Sequence, residues 1–368
     1  MTSRFYAVYH VSCDAKTIEA RAQALAIEQS VETPLSTISD PYVLSDIVGS
    51  IDSIQALDDG HFEVCIALAT AATGLEIGQW VNMLFGNSSI HQDVILHDVR
   101  PSPELFAAFN GPSHGLDGVR RRVEAYNRAL TCSALKPQGL SPKQLADLAG
   151  RMARGGIDVI KDDHGLADQA YSRFADRVAA CADAVHTANA QTGGHTRYAP
   201  SLSGTLDDIR RQIGVARASG LDMLLIAPMI IGLPTFHAIT REASDMAFLA
   251  HPAMAGAARI GPPLLLGKLF RLLGADATVF PNFGGRFGYT PETCRALAEA
   301  ARNPWENLRP CIPVPAGGMT VERVPEMLSF YGLDCMLLIG GGLLGAEKCL
   351  TEQTAAFCRV AASFAMSL

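Results

Sequence analysis

The stretch GGIDVIKDDH, residues 155–164, starts as a buried strand and ends as a reactive cluster. Ile157, Val159 and Ile160 are β-branched and apolar, which suits a strand inside a sheet. Lys161, Asp162, Asp163 and His164 then fall at its carboxyl end. A bare ammonium repels a cation, but a lysine that has taken up CO2 as a carbamate is an anionic oxygen ligand. Lys161, Asp163 and His164 are therefore a candidate Mg2+ set. A solvated charge cluster at a strand-loop junction is the alternative that KDDH alone leaves open.

The flanking sequence sets this strand in a series. From about Tyr126 onward, short apolar strands alternate with longer amphipathic stretches rich in Ala, Leu and Arg. Strand ends fall near Lys136, Lys161, Ser201, Pro228, His251, Asn282, Gly317 and Gly340. Helices fit between them over 142–154, 171–192, 206–219, 236–244, 264–273, 291–302 and 321–331, with a last one from Leu344. Eight such units predict a (β/α)8 TIM barrel over residues 116–368, with its chemistry at the carboxyl ends of the strands. Residues 1–115 follow another rhythm: strand 5–12, helix 16–29, strands 46–57 and 61–68 around the Asp58-Asp59-Gly60 turn, helix 75–84 and strand 91–98. That order predicts a ferredoxin-like α+β domain, with the Gly- and Pro-rich segment 101–118 as linker.

Bulk properties exclude several classes. A chain of 368 residues that is 48% hydrophobic and 18% charged is long and apolar enough for a large core plus a smaller domain. Its net charge of −7, with no run of Lys or Arg, argues against nucleic acid and anionic membranes as partners. Nine scattered cysteines without a C-x-x-C pair or zinc spacing read as core residues of a reducing cytoplasm. With no leader pattern and no long apolar run, a cytoplasmic enzyme acting on a small molecule is the expectation.

The remaining candidates cluster at predicted strand ends. Lys136 closes the first barrel strand in LKPQG, where a lysine beside a metal can shuttle protons next to a carbonyl; a surface lysine is the plain alternative. His251 ends strand five in LAHPAM, as a substrate ligand or proton relay, or simply as a satisfied core histidine. Gly317 and Gly318 follow strand seven, and Gly340 and Gly341 strand eight, where backbone N–H groups can converge on a phosphate. Arg286, between glycines in NFGGRFGY, suits a flap that closes a cation over phosphate, or a plain surface loop.

These motifs, in this order over nearly the whole chain, resemble the RuBisCO large-chain superfamily. GGIDVIKDDH is similar to that family's GGLDFTKDDE, LKPQG to LKPKLG, LAHPAM to IHRAM, PAGG to ASGG and LIGGGLLG to FGGGTLG. The resemblance implies that Lys161 is the carbamylated lysine, Asp163 a metal ligand, Lys136 the proton-transfer lysine and His251 a substrate ligand. Gly318, Gly340 and Gly341 would form one phosphate site. It also implies a homodimer with active sites at the subunit interface, where Asn87 of LFGNSSI reaches the partner's barrel.

The departures carry information too. His164 stands where the family has a second carboxylate ligand, and Arg286 where carboxylases have the loop lysine, a change that speaks against CO2 fixation. Where the carboxylase clamps a second phosphate, this chain has Pro252, Val279 and Ala316. A dianion left unpaired there is costly, so the expected substrate has one phosphate and one apolar end. That pattern resembles RuBisCO-like proteins that isomerise 5-methylthioribulose 1-phosphate to 1-methylthio-xylulose 5-phosphate in methionine salvage, using Mg2+ and a lysine carbamate. Enolisation of a diketo phosphate, carboxyl transfer or loss on a branched sugar acid phosphate, and a non-catalytic regulatory role are the alternatives.

Overall fold

The computed structural model describes residues 3–58, 60–345 and 349–366; Asp59, within the expected Asp58-Asp59-Gly60 turn, lies outside them. Contacts divide the chain into one unit of Met1–Asn110 with Met254–Leu265, and a second of Gly111–Ala253 with Leu266–Leu368.

In the first unit, strands β1 (Arg4–Ser12), β2 (Ser50–Asp58), β3 (His61–Ala69) and β4 (Val94–Arg100) form an antiparallel sheet in the order β2-β3-β1-β4. Helices Ile18–Glu28 and Ile77–Phe85 follow β1 and β3, giving the ferredoxin-like order. Strand periodicity decides which face they cover. Phe5 packs edge-on against Trp80, and the Tyr9 hydroxyl donates to the Leu84 carbonyl at 2.6 Å, so alternate residues of β1 meet the second helix. The expected strand 46–57 is shorter. Val43–Ile47 forms one wide helical turn, started by Asp40 accepting from the Tyr42 and Val43 amides, and the strand begins at Ser50. The expected linker 101–118 is also more ordered. Ser102 caps a helix at Pro103–Phe109, Asn110 ends it at φ 64°, and Gly115 opens a second helix to Val123. Pro103 and Gly115 there mark helix starts rather than irregular chain.

The second unit carries β5 (Leu130–Leu135), β6 (Val159–Asp162), β7 (Arg197–Ala199), β8 (Met223–Ile226), β9 (Ala247–Ala250), β10 (Ala277–Pro281), β11 (Ile312–Ala316) and β12 (Met336–Leu338). They pair in parallel in the order β7-β6-β5-β12-β11-β10-β9-β8. A bridge between Ser201 and Leu225, with the Leu202 amide donating to the Leu225 carbonyl at 2.8 Å, joins β7 to β8 and closes the (β/α)8 barrel. Helices at Pro142–Arg154 and Pro291–Arg302 have the expected bounds. The expected helix 264–273 is a wide π-type helix over Pro263–Leu269 that runs into a turn of α-helix at Phe270–Leu272, and the last helix is Leu350–Met366. Cys132, Val159, Leu249, Val279, Val314 and Leu338 fill the barrel interior, joined by Leu116, Val119 and Val123 of the helix that precedes β5. Among the described residues no helix is long and apolar enough to cross a membrane.

Candidate active site

Side chains alternate along a strand, so the interior residues show which site residues face inward. Cys132 and Val159 belong to the interior cluster, as does Leu249. Continuing by twos from each leads to Lys136, to Lys161 and Asp163, and to His251. Ala134 of β5 and Ala199 of β7 lie beside Lys161 in the sheet register, two small residues that leave room around its long stem.

Lys161 is 3% exposed, and its Nζ donates to the Asp162 carbonyl at 2.9 Å. Burial pushes its pKa below the ordinary lysine value, which favours the neutral amine that can attack CO2. Asp163 is buried; its Oδ2 pairs with the Lys136 Nζ and its Oδ1 accepts from the Gly165 amide at 3.0 Å. Burial raises the Asp163 carboxyl, but the bond to Lys136, the Gly165 amide and the charges of Lys136 and His164 outweigh it and hold the pKa down at about 2. Asp163 Oδ2 is buried, and beyond its contact with Lys136 no hydrogen bond reaches it from the described residues. A carboxylate oxygen so placed fits a hard divalent cation, and Lys161, were it to carry a carbamate, would offer a second anionic ligand beside it. The residues present thus suit Mg2+.

The His164 and His251 rings stack, with centroids 4.0 Å apart and planes within 13° of parallel. His164 Nδ1 is 3.5 Å from Asp163 Oδ1. Burial lowers the pKa of both imidazoles, with the Lys161 charge adding to it, that of His251 to about 2. The Ala253 amide donates to His251 Nδ1 at 3.1 Å, which leaves the proton of the neutral ring on Nε2. Lys136, Lys161, Asp163, His164 and His251 are therefore brought to one end of the barrel.

The residue before Asp163 does something else. Asp162 faces outward and is fully buried; it accepts from Arg177 Nε at 3.1 Å, the Tyr198 hydroxyl at 2.7 Å and the Ser201 amide at 3.0 Å. Arg177 is itself fully buried, in a helix whose other buried positions are apolar: Phe174, Val178, Cys181. No motif in the sequence marks Arg177 or Tyr198. The available signal was a single arginine at core spacing opposite a strand with one acid too many.

The glycine loops have distinct tasks. Gly318 sits at φ 64°, and a Cβ there would come within 2.8 Å of the Gly285 Cα and 2.9 Å of the Gly284 carbonyl, so it lets the loop after β10 pack on the loop after β11. Gly317, Gly340 and Gly341 face open space, as a backbone anion cradle requires. Asn282 anchors the β10 loop: its amide donates to the Ala316 carbonyl at 2.8 Å and its Oδ1 accepts from the Tyr331 hydroxyl at 2.6 Å. Arg286, in the exposed part of that loop, stacks on Phe287 at 4.8 Å. Its charge also lowers the His164 pKa. Val279 is buried in the interior and pairs with Val314; Ala316 is two residues further along β11, and Pro252 follows β9 directly. In the first unit, Asn87 is exposed, its Nδ2 donating to Glu28 Oε1 at 3.0 Å and Glu32 Oε1 at 3.2 Å.

Comparison with known proteins identifies the family. The family of the ribulose bisphosphate carboxylase large chain, catalytic domain, matches residues 115–366. Over 358 residues the chain is 58% identical to a 5-methylthioribulose-1-phosphate isomerase of Rhodospirillum rubrum, covering 97% of this chain and 96% of that protein. Over 292 residues it is 32% identical to a 2,3-diketo-5-methylthiopentyl-1-phosphate enolase of Geobacillus thermodenitrificans, covering 77% and 70%. A crystal structure of a Rubisco-like protein from Rhodopseudomonas palustris matches at a TM-score of 0.92 and 55% identity, with 98% of each chain covered. With its small antiparallel domain and its barrel, the chain belongs to the RuBisCO large-chain family, among the RuBisCO-like proteins.

Proposed function

We infer that the protein is a Mg2+-dependent isomerase that converts 5-methylthioribulose 1-phosphate to 1-methylthio-xylulose 5-phosphate by proton transfers through cis-enediolates. The observation that carries this reading is the grouping of Lys136, Lys161, Asp163 and His251 at one barrel end, with apolar Pro252, Val279 and Ala316 in place of phosphate-binding side chains. The similar isomerase of Rhodospirillum rubrum supports the choice of substrate.

Asp163 and a carbamate on Lys161 would hold the ion, with the imidazole of His164 beside them. When bound, Mg2+ supplies positive charge that polarises the C2 ketone and favours the enediolate. The Lys161 carbamate, or Lys136 in its neutral form once Asp163 turns from it to the ion, takes a proton from the adjacent carbon and can return it to another. Neutral His251, with its proton on Nε2, donates a hydrogen bond to a substrate oxygen. Backbone amides at Gly317, Gly318, Gly340 and Gly341 take the phosphate, Arg286 closes over it, and the methylthio end lies toward the apolar wall. Moving a carbonyl along the chain needs only proton transfers, so no redox cofactor is required. A homodimer in which Asn87 completes the partner's site follows the family pattern, and nine unpaired cysteines suit the cytoplasm.

The deciding experiment is 31P and 1H NMR of the protein with Mg2+, bicarbonate and 5-methylthioribulose 1-phosphate in D2O. A new phosphate ester that keeps its methylthio group and gains deuterium is the expected result. No conversion and no exchange would remove this substrate. Turnover of 2,3-diketo-5-methylthiopentyl 1-phosphate instead would establish the enolase reading that the Geobacillus thermodenitrificans relative favours.

A further inference from the structure

The face of the small sheet turned away from helix Ile77–Phe85 carries a cluster that the barrel chemistry does not use. Phe5 and Tyr9 of β1 meet that helix, so His10 projects from the opposite face. It stands directly across from Glu63 of β3, with His10 Nε2 and Glu63 Oε2 3.6 Å apart. On its other side β1 pairs with β4, and there the register shifts: Leu96 pairs with Tyr9 but Asp98 with Val8, which makes His97 the extra residue of a bulge. Bulges re-aim side chains. This one lays the His97 ring over that of His10, with centroids 3.7 Å apart and planes 15° from parallel. Ligand atoms of His10, Glu63 and His97 all come within 4.8 Å of one another, the one such group of His, Cys, Asp or Glu among the described residues. Segment Met254–Leu265 runs alongside: the Gly261 amide donates to the Leu96 carbonyl at 2.8 Å, and a Cβ at Gly261 would come within 3.3 Å of the His97 carbonyl oxygen. A glycine there leaves the bulge uncrowded.

Two imidazoles and one carboxylate are the protein ligands of open zinc sites, whose remaining position is filled by water. Imidazole nitrogen selects borderline ions such as Zn2+, Ni2+ or Cu2+ over Mg2+, so the barrel's cation would not compete. His10 and Glu63 are each one-third exposed and His97 more so, which gives an ion access from solvent. We propose that His10, Glu63 and His97 form a binding site for a Zn2+-class transition-metal ion, completed by water, that ties β1, β3 and β4 together across the bulge.

Co2+ is the probe, added to the reduced protein in saturating Mg2+. The expected result is one equivalent bound, with visible d–d bands and no thiolate-to-cobalt charge transfer, because no cysteine is in the set. His97→Asn and Glu63→Gln should each abolish those bands, and Zn2+ should raise the Tm of the parent protein but not of these variants, since an ion that binds only the folded state stabilises it. His61, which bonds Asp58 at 2.5 Å on the same sheet, supplies the control, and His61→Asn should keep the bands. The proposal is overturned by failure of the parent to bind an equivalent of Co2+. Bands that survive in both His97→Asn and Glu63→Gln, or that vanish only in His61→Asn, overturn it equally. His97 is exposed, and circular dichroism checks that its variant folds.

Discussion

Adjacent carboxylates at 162 and 163 face opposite sides of β6, and removing each has a different consequence. Asp162→Asn leaves Arg177, 0% exposed, without its counter-charge. Breaking a buried pair this way costs about 3–5 kcal/mol, so urea or thermal denaturation should show a large loss of stability. Asp163→Asn should fold and lose turnover, because among the described residues the polar partners of its carboxylate are Lys136, His164 and the Gly165 amide, all at the barrel end. The pH dependence differs as well. With the Asp163 pKa held at about 2, below the roughly 3.9 of an unfolded aspartate, its stabilising contribution is complete above about pH 4 and is lost as the pH falls toward 2. The stability gap between the parent and Asp163→Asn should therefore close over that window, as acid-unfolding curves would show. Lys161→Ala should abolish Mg2+-dependent turnover and any activation by bicarbonate. His164→Glu should tighten Mg2+ binding, since it replaces an imidazole with a hard oxygen donor; unchanged affinity by calorimetry would show that His164 is not a ligand.

At the scale of elements, Gly318 adds a packing role to phosphate binding, whereas Gly340 has no packing neighbour. Gly318→Ala places a Cβ against Gly285 and forces a non-glycine residue to φ 64°, a strain of about 1–2 kcal/mol. It should lower Tm, displace the β10 loop and raise KM. Gly340→Ala meets open space at φ −101°, so Tm should hold while KM for the sugar phosphate rises. A matching fall of Tm in both would mean that Gly340 is a packing residue too. The barrel strands were legible because strands buried on both sides read as short apolar runs, and helices Pro142–Arg154 and Pro291–Arg302 because each begins with a Ser or Thr cap followed by Pro. In segment 101–118 the same signals, Ser102-Pro103 and Gly115, read equally as helix starts and as breakers, and local sequence does not separate the two. That Lys136, Lys161, Asp163 and His251 share one barrel end was legible because each lies at or just past a strand end. Arg177 could not be placed from local pattern alone, and neither could His10, Glu63 and His97, which only sheet register and a bulge bring together.

For the whole molecule, the open question is whether one chain holds a complete site. Lys161 and Asp163 belong to the barrel unit and Asn87 to the other, where it is exposed and held by Glu28 and Glu32. Those two carboxylates fix the Asn87 amide nitrogen and leave its oxygen as the group available to a neighbour. In a homodimer with shared sites, Lys161→Ala and Asn87→Ala are each inactive, yet they damage different halves of the site. Mixing the two proteins under conditions of subunit exchange yields heterodimers in which one site carries both lesions and the other carries neither. With random pairing half of the dimers are mixed and each has one intact site, so activity should recover to about one quarter of the parent level. Native mass spectrometry would count the heterodimers while the NMR assay measures turnover. If mixed dimers form and activity stays at zero, each site is built from a single chain, and the loss in Asn87→Ala must then arise within its own unit, through the Glu28–Asn87–Glu32 contacts.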